Sequence, residues 1–179
     1  GVVYDRYGAA FPSTPEAGAA IGGGKGKTTG GSATLTVSEN AVLNTGSIGG
    51  GYGGTSTGSA TVTISGGTLL GQVIMQGKDS NGNPSSFTMT GGTIDNADRA
   101  GYNFLQENGG AVWINSGEAK MSGGTIKNAN AVNGGAIYVN GGSFVMSGEG
   151  TIQDCSATES GGAVYVSGGK VTMSGGTIK

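Results

Sequence analysis

Three aromatic residues recur on a regular beat in the second half of the chain: Trp113, Tyr138 and Tyr165, separated by 25 and 27 residues. Each follows a Gly-Gly-Ala-Val/Ile word. Each also stands between two aliphatic residues: Val112 and Ile114, Ile137 and Val139, Val164 and Val166. If the aliphatic pairs point inward along a short strand, the aromatic side chains point outward. Ring faces in a row can stack on sugars or pack on a protein surface, and Tyr and Trp are enriched at interaction sites. Catalytic chemistry finds less support. The chain has no His. Of its eleven acidic residues, Asp79, Asp95, Asp98, Glu107, Glu118, Asp154 and Glu159 fall in different positions of the repeat described below. A glycosidase needs two carboxylates facing each other across about 5–9.5 Å. Gly26-Lys27-Thr28 imitates the end of a phosphate-binding loop. Ile21 stands where that motif needs Gly, however, and a strand-like SATLTV follows instead of a helix.

A repeat must carry the aromatic row. The last apolar residue before an SGGT-like turn is Val37, Ile64, Met89, Met121, Met146 and Met173, at spacings of 27, 25, 32, 25 and 27. Two residues earlier lies a second apolar column: Leu35, Val62, Phe87, Ala119, Phe144 and Val171. The flanking residues are polar in almost every copy, with Val145 the exception. Alternation with period two predicts a strand with one buried face. A Gly-rich turn, a Thr-Ile pair and the GGA[VI] strand complete each copy, so about three short strands are expected per copy. Strands this short bury an apolar face only by stacking copy on copy. The reading is an all-β, single-stranded right-handed parallel β-helix, a β-solenoid, of about six coils of 25–27 residues. The core is expected at Leu35, Val62, Ile64, Phe87, Met89, Met121, Phe144, Met146, Val171 and Met173.

Gly contributes 41 of 179 residues, a content that without a period would indicate disorder. The period assigns these glycines to turns. Charged residues are 11% and net charge is −2, with no basic run, which argues against a nucleic-acid partner. No apolar stretch is long enough to insert into a membrane as a helix. Residues 1–20 do not match the repeat and read as an N-terminal cap or irregular first coil. Residues 21–179 are β-helix repeats. The absence of a leader at Gly1 and the end of the chain partway through a copy suggest a piece of a longer protein, with the rest of the parent chain beyond residue 179 as a neighbour. One copy carries six or seven extra residues between Asp95 and Asn108, including Arg99, Tyr102 and Phe104. Insertions in solenoids map to surface loops, often on the binding face. Asn96, Asn128 and Asp154 occupy equivalent places and are expected to stack as polar side chains along a turn. Cys155, the only cysteine, is expected to be unpaired.

The GGA[VI]YV and MSGGTI words make residues 30–179 similar to the Gly-rich β-helix repeats of large bacterial surface proteins. With the TIxN turn, the chain also resembles the passenger repeats of chlamydial polymorphic membrane proteins and related autotransporter adhesins. The resemblance implies secretion or display on a bacterial cell surface, and adhesion more often than catalysis. It supplies no catalytic residue, cofactor or metal ligand, so the expectation is a protein that is not an enzyme. The partner expected is a host glycan or host extracellular protein. The candidate binding residues are Arg99, Tyr102, Phe104, Trp113, Tyr138 and Tyr165. Competing readings are a structural stalk that displays another domain, a polysaccharide-degrading enzyme, and an ice-binding protein built on the Thr34/Thr36 and Thr61/Thr63 pairs.

Overall fold

The computed structural model of the chain describes residues 2–4, 21–24, 26–51, 53–97 and 106–179. Alternating apolar residues make one strand in every coil: β3 (Ala33–Val37), β5 (Ala60–Ile64), β7 (Ser86–Met89), β11 (Glu118–Met121), β15 (Ser143–Met146) and β19 (Lys170–Met173). These six lie side by side, in chain order, as one parallel sheet. An eleven-stranded sheet covers the other sides of the coils. It contains β1 (Val2–Tyr4), β2 (Ile21–Gly22) and the long β4 (Val42–Gly49) and β6 (Thr68–Met75). It also contains the short β8 (Thr93–Asp95), β12 (Thr125–Lys127), β16 (Thr151–Gln153) and β20 (Thr177–Ile178). A second short group in it is β10 (Val112–Ile114), β14 (Ile137–Val139) and β18 (Val164–Val166). A third, three-stranded sheet joins β9 (Gln106–Asn108), β13 (Asn130–Asn133) and β17 (Ser156–Ser160). Every strand pairs in parallel with its counterpart in the next coil. The fold is a parallel β-solenoid of about six turns.

The coils stack like on like. Leu35, Val62, Phe87, Ala119, Phe144 and Val171 are register partners in succession. So are Val37, Ile64, Met89, Met121, Met146 and Met173. Ala119 sits between Phe87 and Phe144, and the small residue makes room for two rings in one column. Seven of the ten expected core residues are buried. Leu35 is half-buried against the core. Val171 and Met173 depart from the expectation, at 36% and 48% exposure, whereas their partners Phe144 and Met146 are at 1% and 0%. The last two point along the same column, but no described coil lies over them. Cys155 is free and packs half-buried against the core, its thiol donating to the Gln153 carbonyl.

The number of strands per coil differs from the expected three. β4 and β6 each run through a corner as one eight-residue strand, and β4 bulges against β6 between Asn44 and Ser47. In later coils that strand is broken, and β13 and β17 fill the gap. The break falls at Asn128 and Asp154, which hold positive φ of 56° and 53°. Asn and Asp adopt the left-handed region more readily than other side chains. Asn96 does not share that conformation, so the expected polar stack does not form. Asn128 instead donates to Asp95 at 2.8 Å, and Asp154 accepts from Gln153 at 2.9 Å. Asn96 turns inward.

The GGA word has a backbone reason. Gly134 has φ 63°, and a Cβ built there lies 2.2 Å from the Ile137 carbonyl oxygen. Gly82 has φ 82° in the exposed turn Lys78–Pro84, where a Cβ meets nothing within 4 Å. Gly134→Ala is therefore expected to destabilise by more than the roughly 1–2 kcal/mol of the left-handed conformation alone, and Gly82→Ala by no more than that. Equal denaturation midpoints for the two variants would refute the packing account. Phe144→Ala is expected to cost about 3–5 kcal/mol in chemical unfolding, since the ring is wholly inside the coil. A loss below about 1 kcal/mol would contradict a continuous core.

Candidate functional site

The strand that carries the aromatic residues is short because it is bracketed by turns. It is held because both neighbours in the stack present the same pattern. Trp113 pairs with Tyr138, and Tyr138 with Tyr165, while Val112, Ile137 and Val164 and then Ile114, Val139 and Val166 form the inward columns. The three aromatics thus form one outward row, as their spacing implies, with neighbouring strands about 4.8 Å apart. All three are half-buried. Tyr138 and Tyr165 touch, with ring centroids 5.4 Å apart and planes tilted by 41°. Towards the N-terminus the row continues through Ile74 to Gly49. The indole Nε1 of Trp113 is shielded from solvent and has no hydrogen-bond partner among the described residues.

Two residues further along each strand lies a row that sequence reading missed. Asn140 Nδ2 donates to Asn115 Oδ1 at 3.0 Å, and Ser167 Oγ donates to Asn140 Oδ1 at 3.0 Å. The signal was present, because Asn115, Asn140 and Ser167 repeat at the same 25 and 27 as the aromatics. The backbone fixes this row: the amides of Asn115, Asn140 and Ser167 donate to the carbonyls of Met75, Ile114 and Val139 in the preceding coil.

The insertion leaves the solenoid after Asp95 and returns at β9. Gln106 is the partner of Ala131. Ala131 lies five residues after Ile126, and Gln106 twelve after Ile94, so seven residues are extra. Arg99, Tyr102 and Phe104 lie outside the described residues. Both stems of the insertion are tied from inside the coil. Asn96, 3% exposed, accepts from the Gly71 amide at 3.0 Å and donates to the Gly110 carbonyl at 2.8 Å. Gln72, 2% exposed, donates to the carbonyls of Asn108 and Gly109. A third tie is outside: Lys127 pairs with Asp95 at 3.0 Å. Burial pushes the Asp95 carboxyl up, but the Asn128 amide, Lys127 and the Ala97 N–H outweigh it and hold the group below its ordinary value.

Four of the described carboxylates, Asp79, Asp95, Glu118 and Asp154, are engaged in structure. Asp79 caps its own turn, accepting from the amides of Asn81 and Asn83 and from the Asn83 side chain, which lowers its pKa. Glu118 pairs with Lys120. The Thr column Thr68, Thr93, Thr125, Thr151 and Thr177 is in register over five coils. Asp95, Lys127 and Gln153 stand at the next outward position, so the Thr face is one row wide. Among the described residues, no group of three His, Cys, Asp or Glu could hold a metal ion.

Comparison with protein-family models, curated proteins and solved structures gives no match.

The stems yield a prediction. Asn96→Ala leaves the Gly71 amide and the Gly110 carbonyl buried without partners, at about 1–3 kcal/mol each. Native-state hydrogen exchange should show the Gly71 amide losing protection before the amides of β11 and β15. Unchanged exchange at Gly71 would mean that Asn96 does not hold the stem.

Proposed function

We propose that this chain is a binding segment displayed at a bacterial cell surface, which recognises a host glycan or host extracellular protein through one face of the solenoid. The observation that carries this reading is the register of Trp113, Tyr138 and Tyr165 in one outward, partly exposed row. Such a row on a rigid scaffold is preorganised, so little freedom is lost when a partner docks. Aromatic side chains are the residue types that most often carry binding energy. The inserted segment 96–107 starts and ends on stems fixed by Asn96 and Gln72, and it returns to the coil next to Gly109–Ile114. Arg99, Tyr102 and Phe104, within this segment, are further candidate binding residues in this proposal.

A second reading rests on the contact between the Tyr138 and Tyr165 rings. Cross-strand aromatic pairs stabilise sheets. In that reading the row holds coils together, and the solenoid is a stalk that presents another domain.

Screening residues 1–179 against glycan arrays and host secreted proteins separates the two. A binding segment gives a ligand whose affinity falls by more than about 1 kcal/mol in Trp113→Ala. Thr34→Ala, on the six-stranded sheet, should leave it unchanged. Loss of thermal stability in Trp113→Ala with no ligand on either array would favour the stalk.

A further inference from the structure

We infer that the ligand of the aromatic face is an uncharged polysaccharide chain lying along the solenoid axis; this rests on the reading that the face binds at all. The aromatic row does not stand alone. Beside it runs the row Asn115, Asn140 and Ser167, linked head to tail by side-chain hydrogen bonds. An Asn amide carries two N–H donors. Asn140 uses one of them on Asn115, and among the described residues neither N–H of Asn115 has a partner. The face therefore offers ring surfaces in one line and free amide donors in the next, both in line with the axis. Sugar residues present the matching pair of surfaces, with C–H groups on the ring faces and hydroxyl groups at the rim.

The charge balance narrows the class. Neither row contains an ionised group; on the following strand Glu118 and Lys120 pair with each other, and Lys170 stands at the C-terminal end of the Glu118 column without an ion pair among the described residues. A single Lys at one end is not the Lys or Arg fork that a carboxylated or sulfated sugar would call for. Size argues against a protein partner. Three aromatic side chains of about 150–250 Å² each, mostly covered already, leave no more than roughly 250 Å². A stable protein interface needs about 800 Å² per partner. A long, narrow strip also suits a polymer better than a small metabolite, which wants a concave pocket. The ring geometry agrees: a flat sandwich would hide the facing surfaces of Tyr138 and Tyr165, whereas a tilt of 41° opens the pair on one side. The amide row is held by backbone hydrogen bonds to the preceding coil, so its donors are preset in direction.

The test is affinity electrophoresis of residues 1–179 through gels holding soluble glucan, xylan or galactomannan, with pectin as the acidic control. Sedimentation with insoluble cellulose and chitin completes the panel. The inference expects retention by at least one neutral polymer. Its trisaccharide should compete at least tenfold better than its monosaccharide, because the row spans three coils. Tyr138→Ala should weaken retention at least tenfold and Asn140→Leu at least threefold, whereas Tyr138→Phe should keep it. Circular dichroism checks the fold. If Tyr138→Ala unfolds the chain, Tyr165→Ala takes its place under the same expectation. Retention by pectin alone, equal competition by monosaccharide and trisaccharide, or retention untouched by the aromatic substitutions would each overturn the inference. A protein ligand weakened by Trp113→Ala, with no neutral polymer retained, would keep the binding face and remove the polysaccharide. Blank results on every array and polymer would remove both.

Discussion

The whole structure depends on the hydrogen bonds that one coil makes with the next. Most strands are only three to five residues long. None can satisfy its backbone groups or bury its apolar face within its own coil. Parallel pairing with the coils before and after does both at once. The pairing also fixes an axial step of about 4.8 Å. Every side chain must therefore tolerate a counterpart of the same position at that distance, above and below. Inside, this gives the Met column and the Phe87–Ala119–Phe144 alternation of large and small. Outside, it gives the Asn115–Asn140–Ser167 ladder. It also governs charge. Glu118 lies between Ser86 and Ser143, Lys120 between Thr88 and Val145, and Lys127 between Asp95 and Gln153. Among these described pairs no like charges stand opposite, an arrangement that would be destabilising.

Two buried amides stand apart from this rule: Asn96 in the coil with the insertion and Gln72 in the coil before it. A coil that lengthens by seven residues must interrupt its ladder, which exposes backbone groups on either side of the gap. Asn96 and Gln72 supply the missing partners at the exit and the return. Side-chain amides are suited to this, because they carry the same donor and acceptor as the peptide they replace. The equivalent positions in the next two coils, Asn128 and Asp154, have no such gap to fill. There the chain turns through a left-handed residue and continues into a further strand.

A scaffold of this kind leaves its outward positions free to vary, so function is carried on its faces. The faces differ in chemistry. One bears the single Thr row beside mixed charges. The six-stranded sheet bears Thr pairs that give way to Glu118 and Lys120. The face of β10, β14 and β18 bears rings beside amides. Among the described residues the last combines partly exposed aromatic surface with uncommitted amide donors, and the proposed function lies there.

The fold was legible in the sequence because solenoid contacts are periodic. Spacings of 25 and 27 residues, read with alternation at Leu35–Val37 or Phe144–Met146, already state which residues lie above which. The aromatic row followed from the same arithmetic. Three things were decided only by tertiary structure. The inward turn of Asn96 depends on the backbone N–H of Gly71, in the preceding coil, and the carbonyl of Gly110, which it meets inside the coil. The fate of Val171 and Met173 depends on what covers the last coil, not on their place in a column. The split of one long strand into two takes different forms: Asn128 and Asp154 turn the corner with positive φ, whereas the coil of Asn96 is broken by its insertion without it. In each case identical positions in the repeat meet different neighbours. A repeat pattern records what the copies share, whereas these features arise where the copies differ.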